Sequence, residues 1–173
     1  MSRNKKPRKP YVARSKRKDI ISFIFNGNEP LEVSMRTPIL TAVHAAALSL
    51  SRGTNDKSAW HTVTNALNIA QILCEEAGNR EIGLEVIYAA QNAMIEAAEN
   101  FNERGHLAFG RNGENGLCAM NTGIELFERL LETVTKLQYT RAAGESVRRS
   151  ESKQVVMVRR GKVTKRFELA EAA

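Results

Sequence analysis

Residues 57–77 read KSAWHTVTNALNIAQILCEEA. Trp60, Val63, Leu67, Ala70, Leu73 and Ala77 recur at steps of three and four, the period that lines side chains along one face of an α-helix. Asn55 or Asp56 supplies an N-cap ahead of Lys57, and Gly78 supplies the stop. Ala is abundant through the middle of the chain, which favours helix over sheet.

The same period appears on both sides. Before it, Leu40, Val43, Ala47 and Leu50 predict a helix from about Pro38 to Ser51, with Thr37 as N-cap, Pro38 as first helical residue and Gly53 as terminator. After it, Asn79 caps a helix to about Glu103 through Val86, Ile87, Ala90, Met94, Ala97 and Phe101. Residues 104–116 carry four glycines and read as a loop. Met120, Ile124, Phe127, Leu131, Val134 and Gln138 then mark one long helix from about Leu117 to Ser146 or beyond. Leu84, Ile95 and Leu130 lie off these stripes and suggest a second copy of the chain as a partner.

Strand chemistry flanks the helices. Ile20–Phe25, Asn26-Gly27 and Leu31-Glu32-Val33 predict a short hairpin, since Asn-Gly tolerates positive φ; the alternative is an irregular segment pinned to the bundle by Phe23 and Phe25. Val155–Val158, the cationic turn Arg159-Arg160-Gly161-Lys162, and alternating Val163, Lys165, Phe167 and Leu169 predict a second. The expected architecture is therefore mainly α: an antiparallel three- to four-helix bundle with a basic N-terminal arm and short β-hairpin elements near both ends. Its divisions are a basic arm over 1–19, expected to be disordered, a helical-bundle domain over 20–150 and a basic extension over 151–173. At 173 residues the chain suits one domain with extensions.

Charge is divided unevenly. Residues 1–18 hold nine Lys/Arg and no acid. Residues 141–166 hold nine Lys/Arg against Glu145 and Glu151, whereas residues 19–140 hold fifteen acids against eight bases. An acidic body repels a polyanion, so contact falls to the ends. The candidate nucleic-acid-binding residues are Arg3, Lys5, Lys6, Arg8, Lys9, Arg14, Lys16, Arg17 and Lys18 in the arm, with Arg159, Arg160, Lys162, Lys165 and Arg166 in the extension. Such clusters suit phosphate backbones. The helical stripes show no basic face for reading base edges, so backbone contact is expected over sequence-specific readout.

Catalytic and metal chemistry find no pattern. The glycine loop lacks G-x-x-x-x-G-K-[ST]. His44, His61 and His106 have no His or Cys at i+3 or i+4, and His44 is expected as a satisfied core or boundary residue. Glu96-x-x-Glu99 and Glu125-x-x-Glu128 lack the Glu-x-x-His of a di-iron bundle, and Glu76–Arg80, Glu125–Arg129 and Glu132–Lys136 read as surface pairs. Cys74 and Cys118 read as reduced core thiols. No enzyme, metal or cofactor is expected. With no 18-residue apolar run, neither is a membrane span, and the chain is expected in the cytoplasm.

Lys9-Pro10-Tyr11, Arg52-Gly53 with Trp60, Asn68-Ile69 with Leu73, Arg104 with the glycine loop, Thr122-Gly123-Ile124-Glu125-Leu126 and Gln138 carry a resemblance. Over roughly residues 9–150 the chain resembles small proteins of phages and prophages of proteobacteria, in which a Lys/Arg-Pro-Tyr start precedes a compact helical region. The resemblance implies a mobile-element setting in a bacterial host cell. Two roles fit these expectations. One is a nucleic-acid-binding accessory or regulatory protein. The other is an effector that inhibits a host defence or regulatory complex, its partner being a nucleoprotein.

Overall fold

The computed structural model describes residues 27–77, 80–107, 109, 113–151, 158–159 and 162–163. The basic arm and the first strand of the predicted N-terminal hairpin lie outside the described residues. Within them the chain is mainly helical: α1 Val33–Ser51, α2 Lys57–Ala77, α3 Arg80–Arg104, α4 Gly113–Thr133 and α5 Lys136–Glu151. Two two-residue strands, β1 Val158–Arg159 and β2 Lys162–Val163, pair antiparallel, with Val158 opposite Val163 and Arg159 opposite Lys162. The rest of the predicted C-terminal hairpin is not among the described residues.

Among the described residues the bundle has five helices, not three or four, and α2 is its centre. Helices α1, α3, α4 and α5 all pack against α2. Nine consecutive α2 residues, Ala66 to Cys74, are buried, so the central helix has no solvent face over this stretch. Asp56 caps it: its carboxylate accepts from the Ser58 N–H at 2.8 Å and from the Ser58 hydroxyl at 2.6 Å. These bonds hold the Asp56 carboxyl below its usual range. Most residues of the predicted stripes form the core; Leu40, Val86 and Phe101 are only partly buried, and Gln138 is exposed. Trp60, Val63, Leu67, Ile87, Met94, Met120, Ile124, Phe127 and Leu131 are each 3 % exposed or less. The Trp60 indole N–H donates to the Met94 carbonyl at 2.7 Å, so the ring is buried with its polar atom satisfied.

Several boundaries differ from expectation. Helix α1 begins at Val33, so Leu31-Glu32-Val33 is not a strand and Pro38 lies inside the helix. The Thr37 hydroxyl donates to the Val33 carbonyl at 2.9 Å in the turn before the proline. Helix α4 starts at Gly113, within the predicted glycine loop.

The predicted long fourth helix is two. Thr135 and Gln138 form a reciprocal capping box: the Thr135 N–H donates to Gln138 Oε1 at 2.8 Å, and the Gln138 N–H to Thr135 Oγ1 at 3.2 Å. The chain ahead of α1 seals the break. The Leu31 N–H donates to the Val134 carbonyl, the Lys136 N–H to the Glu29 carbonyl and the Leu137 N–H to the Gly27 carbonyl, at 2.8–3.1 Å. The break also ends the helical register assumed for a Glu132–Lys136 pair. Ile95 is buried, and Leu84 and Leu130 are partly buried against the core. The off-stripe residues that suggest self-association in the sequence are thus covered.

Candidate functional site

Most of the predicted nucleic-acid contacts fall outside the described residues: Arg3, Lys5, Lys6, Arg8, Lys9, Arg14, Lys16, Arg17, Lys18, Arg160, Lys165 and Arg166. Arg159 and Lys162 are described as backbone partners across the β1–β2 ladder. Strand β2 lies beside α3. The structure therefore brings two of the fourteen predicted cations together, and only through main-chain pairing.

What the described residues do build is a polar ladder through three helices. Asn68, Gln71 and Glu75 follow one another on α2 at i, i+3 and i+7, one side of the helix. Gln91 of α3, fully buried, meets them from across the core. Its Nε2 donates to Asn68 Oδ1 at 3.0 Å and to Gln71 Oε1 at 3.1 Å. Gln71 Nε2 in turn donates to Glu75 Oε1 at 2.9 Å. Glu75 then pairs with Arg149 of α5 at 2.7 Å, and the Arg149 guanidinium also donates to Glu145 at 2.9 Å. Arg148 completes the run with two bonds of 2.6 Å to the same Glu145 carboxylate. Gln71 thus links the buried amides to a charge-assisted pair nearer solvent, which limits the desolvation penalty of placing amides in a core, while Gln91 Oε1 is buried without a hydrogen-bond partner among the described residues.

This arrangement changes how the C-terminal positive block reads. Arg148 and Arg149 are both engaged by carboxylates of the body, so the cations of the extension begin beyond α5. The i, i+3 and i+4 spacing of Glu145 to Arg148 and Arg149 is visible in the sequence. The Glu75–Arg149 partnership joins positions 74 apart, and no local pattern announces it.

Two arginines hold the Glu145 carboxyl down from its ordinary 4.5 to about 2, the Arg148 hydrogen bonds first and the Arg149 bond second. A carboxyl depressed in the folded state contributes stability that is present above its unfolded value and lost as pH falls through the folded one. The parent protein should therefore lose thermal stability between pH 4.5 and about 2, more steeply than Glu145→Gln. Melting curves by circular dichroism across that window check this, and parallel pH profiles for the two proteins would contradict it. The Tyr88 hydroxyl is pushed up by burial and by the nearby Glu75 charge. The Cys74 thiol is pushed up chiefly by burial, which keeps it protonated and unreactive.

Other candidates resolve plainly. Cys118 is exposed, contrary to the core role expected of it. It lines a shallow groove of about 310 Å³ between α3 and α4 with Val86, Ala89, Asn115, Ala119 and Thr122. His44 is also exposed, with Nε2 3.6 Å from Glu128 Oε2. His61 stands edge-on to Trp60 at 5.2 Å. Among the described residues no group of three His, Cys, Asp or Glu side chains is placed to hold a metal. Among the same residues no helix is long and apolar enough to cross a membrane.

Comparison of the chain with protein-family models, with curated proteins and with solved structures finds no match.

Proposed function

We propose that the protein is a phage-type nucleic-acid-binding accessory or regulatory protein that grips sugar–phosphate backbones with its two basic ends. The division of charge carries this reading: nine Lys/Arg without an acid over residues 1–18, a second cationic cluster from Arg159 to Arg166, and a body with fifteen acids against eight bases over residues 19–140. Cations at this density release condensed counterions from a phosphate backbone and need no fixed geometry to do so. The engagement of Arg148 and Arg149 by Glu145 and Glu75 supports dividing the work between body and ends. In this reading a short hairpin around the β1–β2 pair presents Arg159, Arg160 and Lys162. The helical body acts as a platform, does no catalysis and works in the cytoplasm of a bacterial host.

One observation favours the second reading, an effector that inhibits a host nucleoprotein complex. Glu85, Glu96 and Glu103 are exposed along α3 and Glu99 is partly so, an acidic stripe of the kind that occupies a nucleic-acid groove on another protein.

Fluorescence anisotropy separates the two. Whole protein and a variant lacking residues 1–18 are titrated onto duplex DNA, single-stranded DNA and RNA from low to physiological salt. Micromolar or tighter binding is expected, with a logarithmic salt slope on duplex of about −0.9 per phosphate neutralised, markedly shallower after the deletion. Absence of binding at low salt would end the first reading. Co-purification of a host protein together with weak binding to bare nucleic acid would establish the second.

A further inference from the structure

Helix α1 carries the least polar surface of the body. Residues 37–51 contain no Lys, Arg, Asp or Glu. Only Val43, Ala46, Ala47 and Leu50 of the helix are buried. Pro38, Thr41, Ala42, Ala45 and Leu48 are exposed, with His44 at the edge of the same face beside Glu128, and their spacing of three and four makes them a single outward stripe. Among the described residues the exposed large apolar side chains are Val33 at 65 %, Leu48 at 52 % and Val147 at 57 %, and two of these three belong to α1. A helix apolar on all sides is ordinarily covered on all sides. The outer faces of the other peripheral helices carry charge instead: Glu85, Glu96 and Glu103 on α3, Glu125, Arg129 and Glu132 on α4, and Arg141 and Arg148 on α5.

The exposed charges at the two ends of this stripe are opposite in sign; within the helix stand only the half-buried Arg36, one turn from Glu32, and His44, which faces Glu128 of α4. Glu29 and Glu32 precede α1 and are exposed; Arg52 caps its C-terminal end and is exposed. Two copies of α1 laid antiparallel about a two-fold axis near Ala42 bring Glu32 of each copy toward Arg52 of the other. The uncharged stripes meet between them. Antiparallel pairing also opposes the two helix macrodipoles favourably. A surface that complements itself under a two-fold rotation is what an isologous contact requires, whereas an unrelated partner would require no such symmetry of sign.

We propose that the outer face of α1 is a homodimer interface, with α1 packed against α1 of a second copy in antiparallel fashion and Glu32–Arg52 pairs closing both ends. The pairing does not depend on the nucleic-acid reading. A helix of 19 residues is about 28 Å long. One such face is smaller than the roughly 800 Å² per partner of a standard interface, so the dimer exchanges quickly.

Sedimentation velocity of the whole chain at physiological salt, over roughly 5–300 μM, tests this in the range where so small an interface would show. A monomer–dimer equilibrium is expected. Leu48→Glu, Glu32→Arg and Arg52→Glu should each weaken it at least about tenfold. The double variant Glu32→Arg/Arg52→Glu should recover most of the loss, because reversing both signs restores the complement. Melting of each variant confirms that it is folded. Should Leu48→Glu fail to fold, the two charge reversals and their combination decide the question alone. A monomer at every concentration would overturn the proposal, whether another part of the chain or another partner covers α1. So would a dimer indifferent to these changes, or one that the double reversal fails to restore.

Discussion

Gly123→Ala unfolds at lower denaturant than the parent protein, by about 1–3 kcal/mol. The sign is the informative part. In an ordinary helix interior the same substitution gains up to about 1 kcal/mol, because Ala loses less backbone freedom than Gly on folding. At Gly123 an added methyl would stand 2.6 Å from the Ala90 Cβ and 2.9 Å from Leu67 Cδ2. Leu67 has rotamers with which to give way. The Ala90 Cβ is fixed to the backbone of α3, so α3 and α4 must separate or the clash persists. Gly144→Ala in α5 is the matched control: it is exposed and nothing lies within 4 Å of where its added methyl would stand, so it should stabilise the protein by up to about 1 kcal/mol. Urea titration of the two variants measures both signs, and a stabilised Gly123→Ala would refute the close approach of α3 and α4 at this residue. Ala90→Gly placed on top of Gly123→Ala exchanges the methyl between helices and should relieve the clash.

Gln91→Ala is expected to cost about 3–5 kcal/mol, combining the loss of a buried side chain with the loss of bonds to buried acceptors. Gln91 is fully buried, and one amide nitrogen serves both Asn68 and Gln71. Removing it withdraws a donor that both side chains share in a medium where amide oxygens are expensive to leave unpaired. Gln91→Met keeps most of the volume and isolates the polar part, for which about 1–3 kcal/mol is expected. Converting Asn68 and Gln91 together to apolar residues of similar size should recover part of that, since the bond between them is then removed from both sides, while Gln71 keeps its bond to Glu75. Denaturant midpoints at constant slope give these differences. A near-neutral Gln91→Ala would mean that the ladder contributes little to holding α2 and α3 together.

The stripe from Trp60 to Leu73 is legible because its apolar residues recur at the helical period, even though α2 also buries its other sides between Ala66 and Cys74. Cap chemistry places the start of α2 at Asn55 or Asp56, and the structure selects Asp56. The interior polar residues are not legible as such. Asn68 and Gln71 look like ordinary breaks in an apolar helix until Gln91, from another helix, supplies the shared donor. Thr135 and Gln138 do carry a capping-box signal three residues apart. The apolar period hides it, continuing through Leu131 and Val134 with no glycine or proline to interrupt it. Pro38 misleads in the opposite direction, since its missing N–H suits a first turn and draws the predicted start away from Val33.

Local composition and period alone determined that the chain is helical, which residues of each helix are apolar, and that the positive charge is gathered at the two ends around an acidic body. These properties depend on residues within a few positions of one another. The tertiary structure alone decided that α2 sits at the centre with all sides covered from Ala66 to Cys74, and that α4 and α5 are separate helices sealed by the backbone of Gly27–Leu31. It alone decided that Arg149 belongs to Glu75 and that α1 keeps an uncharged face outward. Each depends on which surfaces meet, and burial and hydrogen bonding across sequence-distant segments fix that only when the whole chain has packed.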